Sequence, residues 1–166
     1  MIELNPIGVI SSPFKTREDA PRQGRECEGC CTICIYPEFQ EGLGEMIGIS
    51  HIWVLYWMDQ AERDILFARR PEWVEARPVF TIRSPARPNP IALSVGKIIS
   101  IKKGVIIVSG IEALDKSPVI DIKPYIPGID CVPGAEYSTL THHNETVSRE
   151  GTPEMQRSDE CSRDNS

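Results

Sequence analysis

The chain has 166 residues, 40% of them apolar and 25% charged, with a formal net charge of −6 and a pI near 5.1. That length suits one domain with a real core, and the acidic balance argues against indiscriminate binding to nucleic acid, DNA included, because such binding is driven by phosphate neutralisation. No apolar stretch of about 18 residues and no basic-then-apolar leader is present, so a cytoplasmic protein with no membrane partner is expected.

In chain order, residues 7–11, 31–36, 51–58, 79–82, 91–101, 105–114 and 119–123 are rich in Ile, Val, Trp and Tyr and are separated by Gly, Pro or charge. They read as seven strands, and so many short strands predict a mainly β protein, a small closed or partly open barrel or else a sandwich. Short helical pieces are expected at 37–42 and 61–68. The best hairpin joins 98–101 to 105–108 through Lys102, Lys103 and Gly104, the glycine being free to take a positive φ. From residue 138 to 166 the chain carries six acids and three Lys/Arg with almost no aliphatic residues. Such a segment cannot bury enough surface to offset its ordering entropy, so a disordered acidic tail is expected to follow a domain at 1–137.

Residues 83–94 read Arg-Ser-Pro-Ala-Arg-Pro-Asn-Pro-Ile-Ala-Leu-Ser. Each proline fixes its own φ and biases the residue before it toward extended backbone, so Ser84, Arg87 and Asn89 are held stiffly. A rigid cationic loop between two strands is where a compact protein grips a carboxylate or other anion. Three more polar groups stand at segment ends: Pro21-Arg22-Gln23, Asp59-Gln60, and Asp115-Lys116-Ser117-Pro118 leading into Asp121-Ile-Lys-Pro-Tyr125. Individually each reads as a turn.

Together these segments resemble the TsaA-like family, tRNA adenine N6-methyltransferases that use S-adenosylmethionine. The family's Gly-x-Phe-x-x-Arg-Ser-x-x-Arg-Pro-Asn stands here as residues 78–89 with Pro78 for the leading glycine. Its Asp-Gly-Thr-Pro stands as Asp115 to Pro118, and its Ser-Pro-Phe-Lys and Pro-Arg-Gln as residues 12–15 and 21–23. The resemblance covers residues 6–129 and implies a β-barrel that forms a homodimer, acts on tRNA and binds S-adenosyl-L-methionine. The implied cofactor contacts are Pro21, Arg22, Gln23, Asp59, Gln60, Arg83, Leu93, Asp115, Lys116, Ser117 and Pro118. Two departures stand out: Asp59 where the family has histidine, and Lys116-Ser117 where Gly-Thr is usual. A doubly wound sheet is not expected, since no Gly-x-Gly-x-x-Gly follows a strand.

S-adenosylmethionine presents a carboxylate, an ammonium, a sulfonium, a ribose and a flat adenine. Arg83 or Arg22 is expected to pair with the carboxylate, Asp59 or Asp115 to take the ammonium or ribose, and Leu93 to pack on the adenine. The acceptor implied by the resemblance is the exocyclic nitrogen of threonylcarbamoyl-adenosine next to the anticodon. Asp121 and Tyr125 are candidates for its base or orienting acceptor, and Asn89 for holding the base edge. Arg69, Arg70, Lys97, Lys102 and Lys103 are candidate phosphate contacts, with Tyr125 or Trp57 free to stack on a base.

Cys27, Cys30, Cys31 and Cys34 form two Cys-x-x-Cys pairs. A zinc knuckle needs further ligands from elsewhere, and a strand through this region sends Cys31 and Cys34 to opposite faces, so no metal is assigned. Two alternatives stay open beside the enzyme: a module that binds cofactor or RNA without catalysis, and a cysteine-based metal-binding protein.

Overall fold

The structure is a computed structural model that describes residues 3–24, 29–70 and 73–137. The acidic segment 138–166 and Cys27 lie outside the described residues. In chain order the elements are β1 (Gly8–Ser11), β2 (Cys30–Ile35), α1 (Gln40–Leu43), β3 (His51–Trp57), β4 (Phe67–Ala68), β5 (Arg77–Pro78), β6 (Ile91–Lys102), β7 (Val105–Ser109), β8 (Pro118–Pro124) and α2 (Pro127–Asp130). Short 3-10 turns occupy Pro37–Phe39 and Val79–Thr81.

Six strands close into a barrel in the order β1-β2-β7-β6-β3-β8, with β8 pairing back to β1 and every pairing antiparallel. Closure removes the exposed edges of an open sheet. Alternation along each strand decides what lies inside. Ile52, Val54 and Tyr56 of β3 point inward with Cys31, Ile33 and Ile35 of β2, Ile106 and Val108 of β7, Ile10 of β1 and Val119 of β8. Burying each of the isoleucines contributes about 1.5–3 kcal/mol, so this ring of β-branched side chains sustains the barrel. The barrel lies in the unit Met1–Tyr125; Ile126–Ser166 forms a second unit, whose described part carries α2, with the Ile126 amide donating to the Asp130 carboxylate at 2.7 Å.

The predicted hairpin is present. Lys102 pairs with Val105, and the two residues between them, Lys103 and Gly104, take φ values of 48° and 75°. Positive φ at both positions matches the twist of antiparallel strands. The predicted pair of turns at 37–42 is also present, with Pro37 opening the first.

Three expectations about elements fail. Residues 79–82 are not a strand. The Thr81 hydroxyl donates to the Pro78 carbonyl at 2.8 Å within a 3-10 turn, and the fully buried Val79 is anchored by its amide donating to the distant Leu66 carbonyl at 2.9 Å. Residues 61–68 are not a helix either. Leu66 and Phe67 are exposed, leaving a segment this short no apolar face to dock, and its end pairs with β5 instead. The strand expected at 105–114 stops at Ser109, where Gly110 turns the chain at φ 84°. Ile111 and Ala113 beyond it still fill the core.

Candidate functional site

Where the pairing of β6 with β7 runs out, β6 separates from the segment after Gly110 and a cleft of about 340 Å³ opens. It is lined by Gln23, Gly24, Trp53, Arg83, Leu93, Ser94, Val95, Gly110 and Glu112. Its size falls at the lower end of the ~300–1,000 Å³ typical of small-molecule sites. The apolar wall follows from strand register. Trp53 of β3 stands opposite Val95 of β6, and Leu55 opposite Leu93, all on the outward face. Tyr125 packs against Trp53 with ring centroids 5.5 Å apart and props that wall from behind.

The polar wall has three parts. Arg83 donates to the Leu93 carbonyl at 2.8 Å, which fixes the guanidinium at the mouth of the cleft. Ser94, buried, donates from its hydroxyl to Glu112 Oε2 at 3.1 Å. Behind them Tyr56 closes the barrel end. Burial pushes its phenol well above the ordinary range, and the charge of Glu112 acts in the same direction, so Tyr56 stays a neutral hydroxyl at physiological pH. Gly24 completes the wall because a Cβ there would collide with the Gly110 carbonyl and the Glu112 carboxylate.

Of the expected cofactor residues, Gln23, Arg83 and Leu93 line this cleft, and Pro21 and Arg22 lead into it along the chain. Asp59 and Gln60 do not line it. They form an exposed turn just past β3, where the Met58 amide donates to the Pro90 carbonyl at 2.9 Å and brings the turn to the Asn89 end of the proline-rich loop. The loop of Asp115, Lys116, Ser117 and Pro118 is likewise outside the lining and is bound to the 10–15 segment. The Asp115 carboxylate pairs with Lys15 at 2.7 Å and accepts from the Ser12 amide at 3.0 Å, contacts that hold its pKa below the usual carboxylate range. Lys116 donates its amide to the Ile10 carbonyl at 2.7 Å with φ 68°, and Ser117 is buried. A left-handed φ explains why glycine is usual at this position: what the position requires is the conformation.

The candidates for chemistry sit around the apolar wall. Asp121 of β8 stands opposite Leu55, accepts from the Ile122 amide and pairs with Lys123 at 2.6 Å. Asn89 is exposed on its loop and Tyr125 packs against Trp53 with the rings tilted by 56°. Arg87 is engaged by backbone: its guanidinium donates to the carbonyls of Val79, Ile82 and Ser84 at 3.0, 2.6 and 2.8 Å. It staples the loop that presents Arg83.

Cys31 points into the core and Cys30 and Cys34 point out, as alternation requires, and no cluster of three or more potential metal ligands occurs among the described residues. Sequence reasoning missed Trp53 as a wall residue, and with it Ser94, Val95, Gly24, Gly110 and Glu112. Glu112 carried a readable signal, an isolated carboxylate in the otherwise apolar run 105–114. The rest depended on strand register.

These features define a small closed antiparallel barrel with an amphipathic cleft at the end of a strand pair. A family model described as the tRNA-methyltransferase O N-terminal domain matches residues 9–131. The chain belongs to that family. It is 53% identical over 129 residues to an Archaeoglobus fulgidus protein named S-adenosyl-L-methionine-binding protein, covering 78% of this chain and 93% of that one. A Pseudomonas aeruginosa protein named putative S-adenosylmethionine-dependent methyltransferase RcsF is 35% identical over 139 residues, covering 80% of this chain and 58% of its own length. The crystal structure of TrmO from Pseudomonas aeruginosa superposes with a TM-score of 0.69 at 34% identity over 82% of this chain. This chain spans only 61% of that solved one.

Proposed function

We propose that the chain is an S-adenosylmethionine-dependent methyltransferase whose acceptor is the exocyclic nitrogen of adenosine, or threonylcarbamoyl-adenosine, next to the anticodon of tRNA. The observation that carries the cofactor half is the meeting of Gln23, Arg83 and Leu93 from separate segments in one cleft. Its donor set fits the cofactor: a guanidinium and a carboxylate for a zwitterion, Gln23 for the ribose hydroxyls or the adenine amino and ring nitrogens, and Trp53, Leu93 and Val95 for the adenine faces. The names of the Archaeoglobus and Pseudomonas relatives support the same ligand.

S-adenosylmethionine supplies a methyl carbon already activated by a positive sulfur. The protein's task is then alignment and exclusion of water, which needs no nucleophilic side chain. Arg83 and the apolar wall hold the donor. Tyr125, behind Trp53, and Asp121, across from Leu55, flank the wall where an acceptor nitrogen must lose its proton, and Asn89 is placed to contact the base edge. Arg69, Arg70, Lys97, Lys102 and Lys103 serve the RNA phosphates, and the outward face at the exposed Ile91 serves pairing with a second copy. The protein acts in the cytoplasm in this reading. Mass spectrometry of nucleosides from tRNA incubated with the protein and cofactor tests it: a methylated adenosine derivative supports it, and its absence across tRNAs carrying the threonylcarbamoyl group removes it.

A second reading is favoured by one observation. The Archaeoglobus relative, 53% identical to this chain, carries a name that records binding only. A cofactor-binding module without transfer gives saturable cofactor binding and no methylated nucleoside in the same assay.

A further inference from the structure

Glu112 is the one carboxylate among the residues lining the cleft, and no motif in the sequence pointed to it. Its placement is built. Ser94, only 6% exposed, donates to Oε2, and the missing side chain of Gly24 leaves the carboxylate its room. The ion pairs recorded between described residues are Lys15 with Asp115 and Lys123 with Asp121, so Arg83 shares the cleft with Glu112 without neutralising it. Each of the two is tied to the protein by one recorded hydrogen bond, Arg83 to the Leu93 carbonyl and Glu112 to the Ser94 hydroxyl. Opposite charges are thus held apart beside Trp53, Leu93 and Val95. Among the described residues no cation pairs with this carboxylate, so a ligand that brings one gains a charge-assisted contact there.

We propose that Glu112 receives the ammonium of an α-amino acid group whose carboxylate pairs with Arg83, so that the cleft reads the zwitterionic end of S-adenosylmethionine. This rests on the cofactor reading above and moves the ammonium away from the acids first expected to take it. Asp115 is already engaged by Lys15 and the Ser12 amide, and Asp59 lies in an exposed turn outside the lining. Glu112 is accordingly a specificity residue: it favours ligands carrying the amino acid over nucleosides lacking it.

Calorimetric titration of the full chain with two probes tests this. S-adenosylmethionine carries the amino acid; 5′-methylthioadenosine keeps the nucleoside and the sulfur but lacks it. Glu112→Gln keeps shape and removes charge. It is expected to weaken S-adenosylmethionine at least tenfold, about 1.4 kcal/mol, and to leave methylthioadenosine within twofold. Ser94→Ala retains the charge but frees the carboxylate, and is expected to weaken S-adenosylmethionine several-fold with the same indifference to methylthioadenosine. It also provides the reading should the glutamine variant not fold. Unchanged affinity for S-adenosylmethionine, or equal losses for both probes, overturns the assignment of Glu112 alone. Wild-type protein that binds neither probe overturns the cofactor reading and this assignment with it.

Discussion

The guanidinium of Arg83 donates to the carbonyl of Leu93 at 2.8 Å, so the first cation of the proline-rich run is fastened to the strand that walls the cleft. Four residues later Arg87 turns the other way and binds the three carbonyls that shape the loop. One arginine stands at the cleft and the other holds the loop that presents it.

Arg87→Ala should therefore act on stability. It leaves the half-buried carbonyls of Val79, Ile82 and Ser84 without their charged donor, a loss of about 2–3 kcal/mol by urea unfolding. Arg87→Lys should recover only part of this, since an ammonium lacks the planar fork that spans three acceptors. A lysine variant as stable as wild type would contradict the stapling role.

Lys116→Gly should stabilise the protein. A lysine held at φ 68° pays roughly 1 kcal/mol that glycine does not, partly offset by glycine's larger unfolded-state entropy. The expected gain is a fraction of a kcal/mol up to about 1, read as a raised thermal midpoint, while Lys116→Ala keeps the strain and gains nothing.

Asp115 sets part of the acid limb of stability. Its folded pKa lies below the ordinary carboxylate value, chiefly through Lys15 and then the Ser12 amide, so its contribution is complete above the unfolded value and fades as pH falls through the folded one. Asp115→Asn should be less stable than wild type at pH 7, and the gap should close below about pH 4. Denaturant midpoints measured from pH 7 to pH 2 check this, and a gap independent of pH would contradict it.

Gly24→Ala should damage both fold and site. The added methyl meets the Gly110 carbonyl and the Glu112 carboxylate, and relief requires backbone movement costing about 1–3 kcal/mol. A lowered thermal midpoint together with weakened cofactor binding is the expected result.

The barrel was legible because the strand-favouring residues Ile, Val, Trp and Tyr are concentrated in the segments that became β3, β6 and β7, and Lys103-Gly104 carries its own turn chemistry. The segment 61–82 was not. There the backbone is satisfied by bonds to distant partners, such as Val79 to Leu66 and Arg87 to Glu62, which leave no local pattern. The candidate site was half legible. Arg83 and Gln23 stand in rigid polar motifs that can be read along the chain. Trp53 and Val95 became wall residues through cross-strand register, and Glu112 and Ser94 through a hydrogen bond between residues 18 apart.

The central claim is that the cleft between β6 and the segment after Gly110 binds S-adenosylmethionine through Arg83. Calorimetric titration of wild type and Arg83→Ala with the cofactor tests it most directly. Saturable binding in wild type that weakens at least tenfold, about 1.4 kcal/mol, in the alanine variant is the predicted result. No binding in wild type, or equal affinity in the two proteins, would contradict it.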